Sequence, residues 1–170
     1  MRILSGNINL EVKDFGSKTD TPLVMISGYG SQLVDWPMSF IDNLIKHKIR
    51  VIIFDNRDVG LSYKFSGKII EDPKLIWRYS YSREKLPKEI KKPKIPYTLT
   101  NMAEDCINIL NALDIDKAHI LGTSMGGMIA QLVAFNFPKR CKSLISVMST
   151  SGNPNLPRPS KKVIEGLNRQ

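Results

Sequence analysis

Residues 117–138, KAHILGTSMGGMIAQLVAFNFP, are the stretch that decides the fold of this chain. They open with the apolar run 118–121, turn through the glycine-rich residues 122–127 and continue as the apolar helical pattern 128–137. A buried strand that leads directly into a helix is the repeating unit of parallel α/β sheets. The sequence therefore predicts a strand, a tight turn and a helix, with Ser124 at the top of the turn.

The turn itself has the pattern G-x-S-x-G, formed by Gly122, Ser124 and Gly126. A turn this sharp strains the backbone of the serine, and the two glycines remove side chains that would collide with the crossing strand and helix. The start of the following helix directs N–H groups and a positive dipole towards any negative charge formed there. Because an incidental serine in a glycine-rich turn gives the same letters, the prediction depends on the strand before the motif and the helix after it.

The composition is that of an ordinary globular protein. The chain has 170 residues, of which 42% are hydrophobic and 24% are charged. No apolar run approaches the roughly 20 residues of a membrane span, and we expect a cytoplasmic protein without a membrane partner. Cys106 and Cys141 lack the spacing of a metal site and are predicted to be free thiols. No metal or organic cofactor is expected.

The net charge of +9 is concentrated in two stretches. Residues 64–94 hold ten basic and four acidic residues, and residues 153–170 hold four basic and one acidic residue. The rest of the chain is balanced. Because no recognition motif accompanies this charge, we interpret it as solvated surface and expect no nucleic-acid partner. Binding of nucleic acid stays open as an alternative, and it would weaken steeply with salt.

Hydrophobic patterning predicts an α/β fold. Alternation at residues 2–5 and 7–14 predicts an antiparallel hairpin. Continuous apolar runs predict strands buried on both faces at residues 23–27, 50–54, 118–121 and 143–148. The expected architecture is a mostly parallel, twisted sheet of about six strands, with the N-terminal antiparallel hairpin and flanking helices.

Two further helices are predicted between the strands. The first covers residues 39–48 with Ser39 as its N-cap, and the second runs from Thr100, its expected N-cap, to near Asp114. In a parallel sheet, ligands bind beyond the carboxyl ends of the strands. Because Tyr29, Asp55 and Ser124 all follow such ends, we expect them to border one crevice.

At this point the sequence resembles the α/β-hydrolase family. The resemblance is carried by residues 122–127, by the turn 27–29 with Trp36 seven residues on, and by the motif 55–62, DNRDVGLS. The motif 55–62, together with residues 149–154, STSGNP, most resembles the methylesterase-like branch, the aclacinomycin-methylesterase type of serine hydrolase. The resemblance covers nearly the whole chain except residues 63–97, and it corresponds to the N-terminal two-thirds of the family's fold.

The resemblance implies a carboxylic ester hydrolase that works through an acyl-enzyme on Ser124, with a small ester-like molecule as substrate. Gly122 and Gly126 match the elbow glycines. The backbone N–H groups of Tyr29 and Met125 match the two donors of the oxyanion hole, each worth about 3 kcal/mol in an acyl-transfer site. The particular ester, lactone, amide or thioester stays open.

The resemblance also implies a division of the chain. Residues 1–152 are expected to be the front part of the hydrolase core. Within them, prolines, lysines and aromatic residues mark residues 63–97 as a surface insertion, which we expect to hold one short helix near 73–81. Residues 153–170 are expected to begin the cap region or to form a disordered tail. We interpret the motif 55–62 as structural, with Arg57 and Asp58 paired across its turn.

The family's order of catalytic residues is serine, acid and then histidine. After Ser124 this sequence has no histidine, and Glu165 is its only acid. His47 and His119 precede the serine and are expected to be a helix-end and a core residue. We therefore expect a chain that is inactive alone, either truncated or completed by a second chain that supplies the missing strands. A non-catalytic remnant or binding module of the same fold is the alternative.

Overall fold

The computed structural model describes residues 1–66, 96–153, 155–157 and 160. The described strands are β1 (Arg2–Ser5), β2 (Ile8–Phe15), β3 (Thr21–Ile26), β4 (Ile49–Phe54), β5 (Ala118–Thr123) and β6 (Cys141–Val147). The described α-helices are α1 (Met38–Lys46), α2 (Leu99–Ala112) and α3 (Met125–Asn136). Short 3-10 turns cover Leu33–Asp35 and Pro138–Arg140.

These six strands form one sheet in the order β1-β2-β4-β3-β5-β6. The hairpin of β1 and β2 is antiparallel, and β2 is also antiparallel to β4. The other neighbouring strands are parallel. The predicted mostly parallel sheet with an N-terminal hairpin is therefore confirmed, and β3 and β5, which lead to the candidate site, are adjacent at its centre.

Alternate residues of the central strands face two separate layers of core. Val24 and Ile26 of β3 are fully buried on the face covered by α2 and α3. Leu23 and Met25 face the opposite layer, where Ile41 of α1 packs. A sheet covered by helices on both faces explains the continuous apolar runs of β3 and β4, because such strands have no solvent-facing side.

Strand β6 differs from its prediction as a buried strand. It pairs with β5 at the edge of the described sheet, and Leu144, Ile145 and Val147 are 40%, 42% and 37% exposed. The apolar run predicted the strand itself correctly. The prediction of burial was wrong because an apolar run does not show whether other parts of the protein cover both faces of the strand.

Both N-caps lie two residues before their predicted positions. Helix α1 begins at Met38 after Pro37, so Ser39 lies inside the first turn. Helix α2 begins at Leu99, and its N-cap is Thr98, whose N–H donates to Oδ1 of Asn101 at 3.0 Å. Thr98 has the extended backbone that an N-cap needs.

Two predictions fall on parts of the chain that the structure does not describe. The helix near residues 73–81 lies outside the described residues, as does most of the segment 153–170. The division into a core, an insertion and a terminal region therefore stays a prediction. In the portion of the chain that is described, no helix combines the length and apolar character needed to cross a membrane.

Candidate active site

Ser124 has an unusual backbone conformation at the junction of β5 and α3. Its φ is 53° and its ψ is −120°, a region that non-glycine residues adopt at a cost of about 1–3 kcal/mol. Ser124 occupies the N-cap position of α3, yet its side chain does not cap the helix. The strained turn therefore presents a serine hydroxyl that is not used to hold the helix end.

Close packing explains the two glycines that flank Ser124. A Cβ atom at Gly122 would overlap the main-chain oxygen of Gly126. A Cβ atom at Gly126 would overlap the carbonyl of Ile26 and would lie 2.6 Å from the oxygen of Ser27. Strand β3 thus passes directly against the start of α3, and only glycine permits this approach.

The turn that carries Tyr29 lies beside Ser124. A Cβ atom at Gly28 would be 3.2 Å from the Cβ and 3.8 Å from the Oγ of Ser124. Tyr29, the residue after Gly28, is 85% exposed. Met125 is the first residue of α3, where N–H groups have no partner within the helix. The structure therefore places Gly28, the chain neighbour of Tyr29, against Ser124, and it places Met125 directly after Ser124 at the start of α3.

The edge strand also holds the turn of Ser124. The N–H of Ser124 donates to the carbonyl of Val147 at 3.0 Å, which continues the pairing of β5 with β6. The hydroxyl of Ser149 donates to the carbonyl of Ser124 at 2.7 Å. Sequence reasoning missed this role of Ser149. The available signal was its position just after a strand, at the same sheet edge as Ser124.

Asp55 anchors the loops around the site. One carboxylate oxygen accepts a 2.7 Å hydrogen bond from the N–H of Leu33, and the other accepts a 2.8 Å bond from the N–H of Leu61. The hydroxyl of Ser62 donates to the carbonyl of Asp55 at 2.6 Å. A Cβ atom at Gly60 would overlap this carboxylate. Asp55 therefore joins the loop after β3 to the loop after β4, which is a structural role.

The predicted pairing of Arg57 with Asp58 is wrong. Arg57 binds Asp105 of α2 instead, with Nε and Nη2 at 2.5 and 2.8 Å from the carboxylate oxygens. Asp58 accepts hydrogen bonds from the hydroxyl of Tyr97 at 2.6 Å and from the N–H of Phe65 at 2.7 Å. Asp58 has a φ of 64°, so the turn directs the two neighbouring side chains to different partners.

This contact network shifts two ionisation equilibria. The hydrogen bond to Asp105 raises the pKa of Arg57 above its ordinary value. Burial, together with the hydrogen bond to Asp58, raises the pKa of Tyr97. Arg57 and Tyr97 therefore keep their protons at physiological pH. Neither group provides a base for Ser124.

Neither histidine lies at Ser124. His47 is the C-cap of α1, and its Nδ1 is 2.8 Å from the carbonyl of Asn43. His119 is half-buried near the start of β5, with Nδ1 2.6 Å from the hydroxyl of Ser143. Five residues of strand separate His119 from Ser124, which is about 16 Å at the usual rise per residue.

A shallow pocket of about 220 Å³ opens beside the turn of Ser124. Its lining residues come from the ends of β3 and β5 and from the following loop: Ser27, Ser31, Asp35, Trp36, Pro37 and Thr123. Among the described residues, no group of three or more histidine, cysteine, aspartate or glutamate side chains is placed to hold a metal ion. The pocket offers space for a small organic group beside Thr123, the residue before the serine.

Comparison with known proteins agrees with this geometry. The sequence model of one protein family, described as the alpha/beta hydrolase fold, matches residues 21–167. The chain belongs to the α/β-hydrolase family. The resemblance to this family that the motifs indicated is therefore confirmed.

This α/β-hydrolase is similar to several curated enzymes. It is 28% identical to rhodomycin D methylesterase DauP of Streptomyces sp. strain C5 over 142 residues, 84% of this chain and 39% of that protein. It is 27% identical to a poly(3-hydroxyalkanoate) depolymerase of Ectopseudomonas oleovorans, over 83% of this chain and 39% of that protein. The α/β-hydrolase chain thus spans about two-fifths of the length of these relatives.

Solved structures share the fold of this α/β-hydrolase. A structure from work on the carboxylesterases of Nitrososphaera gargenis matches 98% of this chain and 50% of its own, with a TM-score of 0.67 and 22% identity. An enol-lactonase from Burkholderia xenovorans LB400 matches 83% of this chain and 44% of its own, with a TM-score of 0.61 and 21% identity. At these identities the likeness concerns the fold.

Proposed function

We propose that this α/β-hydrolase is a serine hydrolase of carboxylic esters, with Ser124 as the nucleophile. The observation that carries the proposal is the strained backbone of Ser124 at the strand-to-helix turn, with the Gly28–Tyr29 turn packed against it. A protein that keeps about 1–3 kcal/mol of strain at an uncapped serine gains nothing in stability from it. Such strain is typical of a residue held for chemistry.

The reaction proceeds in two steps. The Oγ of Ser124 attacks the ester carbonyl carbon while a base takes its proton, and the carbonyl oxygen becomes an oxyanion. The N–H groups of Tyr29 and Met125 donate to that oxyanion, and removing one such donor typically slows a hydrolase by 10²–10³-fold. The alcohol leaves with the proton from the base, and water then releases the acid from Ser124.

Carboxylic esters are the substrate class that the relatives favour. Two rhodomycin D methylesterases match 84% of this chain. The pocket of about 220 Å³ beside Thr123 has room for a small acyl or alcohol group. We therefore assign a small-molecule ester as substrate, and we place the reaction in the cytoplasm without a nucleic-acid or membrane partner.

The base for Ser124 comes from outside these 170 residues in this proposal. A serine hydroxyl is a weak nucleophile until a base takes its proton. His47 and His119 form hydrogen bonds with Asn43 and Ser143 instead of Ser124. Further sequence of the same protein, or a second chain, supplies the base. The open edge of β6 is the place where additional strands join the described sheet.

A binding module of the same fold, without turnover, is the second candidate. The separation of both histidines from Ser124 favours it. Such a module holds a small molecule in the pocket beside Thr123 but does not react through the serine. It differs from the first candidate in one measurable property, the reactivity of Ser124.

Labelling with a fluorophosphonate distinguishes the two candidates. The 170-residue chain is tested alone and together with the protein encoded by the adjoining DNA, and hydrolysis of short-chain esters is measured in parallel. We expect labelling of the completed protein that Ser124→Ala removes. Ser151→Ala is the control, since Ser151 is exposed and does not line the pocket, and it should retain labelling. Absence of Ser124-dependent labelling in every form rejects the hydrolase and leaves the binding module.

A further inference from the structure

Asn56 is a buried polar residue directly after β4, and it contacts the loop that carries Tyr29. Its side chain is almost fully buried, with the residue only 1% exposed. Its Nδ2 donates a 3.1 Å hydrogen bond to the main-chain carbonyl of Ser27. The same carbonyl lies close to α3, since a Cβ atom at Gly126 would be 2.6 Å from it. The oxygen of Ser27 is thus held between Asn56 and the helix of the nucleophile.

The other end of this loop is held by the preceding residue. Oδ1 of Asp55 accepts a 2.7 Å hydrogen bond from the N–H of Leu33. Asp55 and Asn56 therefore fix residues 27 and 33, which bound the segment containing Tyr29. Between these two points, the N–H of Ser31 donates a long hydrogen bond of 3.4 Å to the carbonyl of Gly28. Two neighbouring side chains of one strand end thus set the position of the whole loop.

The position of Asn56 is not explained by stability alone. Its Oδ1 is buried and accepts no hydrogen bond from any described residue. A buried acceptor without a partner costs about 1–3 kcal/mol, at least as much as the about 0.5–1.5 kcal/mol that the hydrogen bond from Nδ2 to Ser27 contributes. An apolar side chain of similar size would avoid that cost. What it could not provide is the donor to the carbonyl of Ser27.

The peptide group between Ser27 and Gly28 connects this bond to the site. Its carbonyl is the acceptor for Asn56, and the peptide plane is rigid. A rotation of this plane therefore displaces Gly28, which lies against the Cβ of Ser124, and the N–H of Tyr29 that follows it. Oxyanion donors act only when they lie within about 2.7–3.1 Å of the developing charge.

We propose that Asn56 is a positioning residue, which holds the Ser27–Gly28 peptide so that the N–H of Tyr29 faces the oxyanion formed at Ser124. Its effect on the reaction rests on the proposed function. Its effect on the loop does not, because the hydrogen bond to Ser27 exists whether or not Ser124 reacts. These two effects can therefore be measured separately.

The test compares Asn56→Leu and Asn56→Asp with Asp58→Asn. Leucine removes both the donor and the unpaired acceptor, so it should fold even if a buried carboxylate at residue 56 does not. Asp58→Asn is the matched control: it lies on the same turn and bonds to Tyr97 and Phe65, but not to the loop 27–33. Hydrogen exchange of a peptide covering residues 27–33 reports how readily the backbone of this loop opens in the 170-residue chain.

The catalytic readout uses whichever form of the protein shows Ser124-dependent labelling. We expect both Asn56 variants to lower the labelling rate and kcat roughly tenfold or more, with KM for a short ester changed less than about twofold, because the oxyanion forms only in the transition state. Exchange at 27–33 should accelerate in both variants and stay at the wild-type rate in Asp58→Asn.

Each outcome decides one of the two effects. Unchanged exchange at 27–33 in Asn56→Leu overturns the proposal, whatever the reactivity of Ser124. Faster exchange with kcat equal to that of Asp58→Asn overturns the catalytic part. Faster exchange, in a protein whose wild type never labels at Ser124, supports the placement of the loop by Asn56 and rejects the proposed function instead.

Discussion

The hydroxyl of Ser149 donates a 2.7 Å hydrogen bond to the main-chain carbonyl of Ser124. Ser149 follows β6, while Gly28, which also lies against Ser124, follows β3. These are the two strands that flank β5 in the sheet. The strained turn is therefore supported from both neighbouring strands, although only β5 leads into it.

Replacing Ser149 by alanine should weaken this support. The carbonyl of Ser124 also accepts bonds from the N–H groups of Gly127 and Met128, so the loss is one hydrogen bond among three. We expect Ser149→Ala to lower the free energy of unfolding by about 1 kcal/mol, measured by urea denaturation. Ser151→Ala, at an exposed position, is the control. Equal stability of the two variants would show that the bond does not contribute.

Relief of the strain at Ser124 should stabilise the protein. Ser124→Gly and Ser124→Ala both remove the hydroxyl, but only glycine adopts a φ of 53° without strain. We expect the glycine variant to exceed the alanine variant in free energy of unfolding by about 1 kcal/mol. Thermal and urea denaturation of both variants measure the difference.

The same exchange at Ser151 provides the control for Ser124. The φ of Ser151 is not positive, so glycine there should be no more stable than alanine. An alanine variant at 124 that matches or exceeds the glycine variant would contradict the strained conformation of the turn.

The ion pair of Arg57 with Asp105 should contribute strongly to stability. Its side chains are 12% and 2% exposed, and Asp105 also accepts a hydrogen bond from the hydroxyl of Ser5. We expect Asp105→Asn to lower the free energy of unfolding by about 3 kcal/mol, because it leaves a buried guanidinium without its charged partner. Chemical denaturation measures the loss.

The surface pair of Arg2 with Glu11 is the control for this prediction. Its atoms are 3.8 Å apart, and the side chain of Arg2 is 66% exposed. Removing it with Arg2→Ala should cost less than about 1 kcal/mol. Similar losses of unfolding free energy for the two pairs would mean that the buried pair of Arg57 and Asp105 stabilises the protein no more than a surface pair does.

The two cysteines should react at different rates with a thiol reagent. Burial raises the pKa of the Cys106 thiol to about 12, and it also raises the pKa of the half-buried Cys141. Because the thiolate is the reactive form, near neutral pH we expect Cys141 to react slowly and Cys106 only on unfolding. Raising the pH should accelerate Cys141 first.

The single variants Cys106→Ala and Cys141→Ala assign the two phases of that reaction. The Cys141→Ala protein should show no reactive thiol until denaturant is added, whereas Cys106→Ala should keep the slow native phase. Equal native reactivity of both thiols would contradict the burial of Cys106 in the core.

Local sequence patterns predicted the sheet and the turn of Ser124. Continuous apolar runs mark strands such as β3 because a sheet covered on both faces leaves no polar side. The spacing of Gly122, Ser124 and Gly126 indicates the turn because its steric conflict is confined to a few residues. Helix starts were displaced by two residues, since Thr98 and Thr100 are both acceptable caps by composition.

Contacts between distant residues were beyond the reach of local patterns. Asn56 and Ser27 are 29 residues apart, and Arg57 and Asp105 are 48 apart. Each pairing depends on which strands are neighbours in the sheet. The prediction that β6 is buried was wrong for the same reason. An apolar strand has the same sequence pattern whether it lies at the edge or at the centre of a sheet.

The central claim is that Ser124 faces two backbone donors, and a structure of its phosphonate adduct tests this most directly. In the adduct, the phosphorus is attached to Oγ of Ser124. We predict that its phosphoryl oxygen lies about 2.7–3.1 Å from the backbone nitrogens of both Tyr29 and Met125. An adduct on another residue, or an oxygen directed away from both nitrogens, would contradict the account.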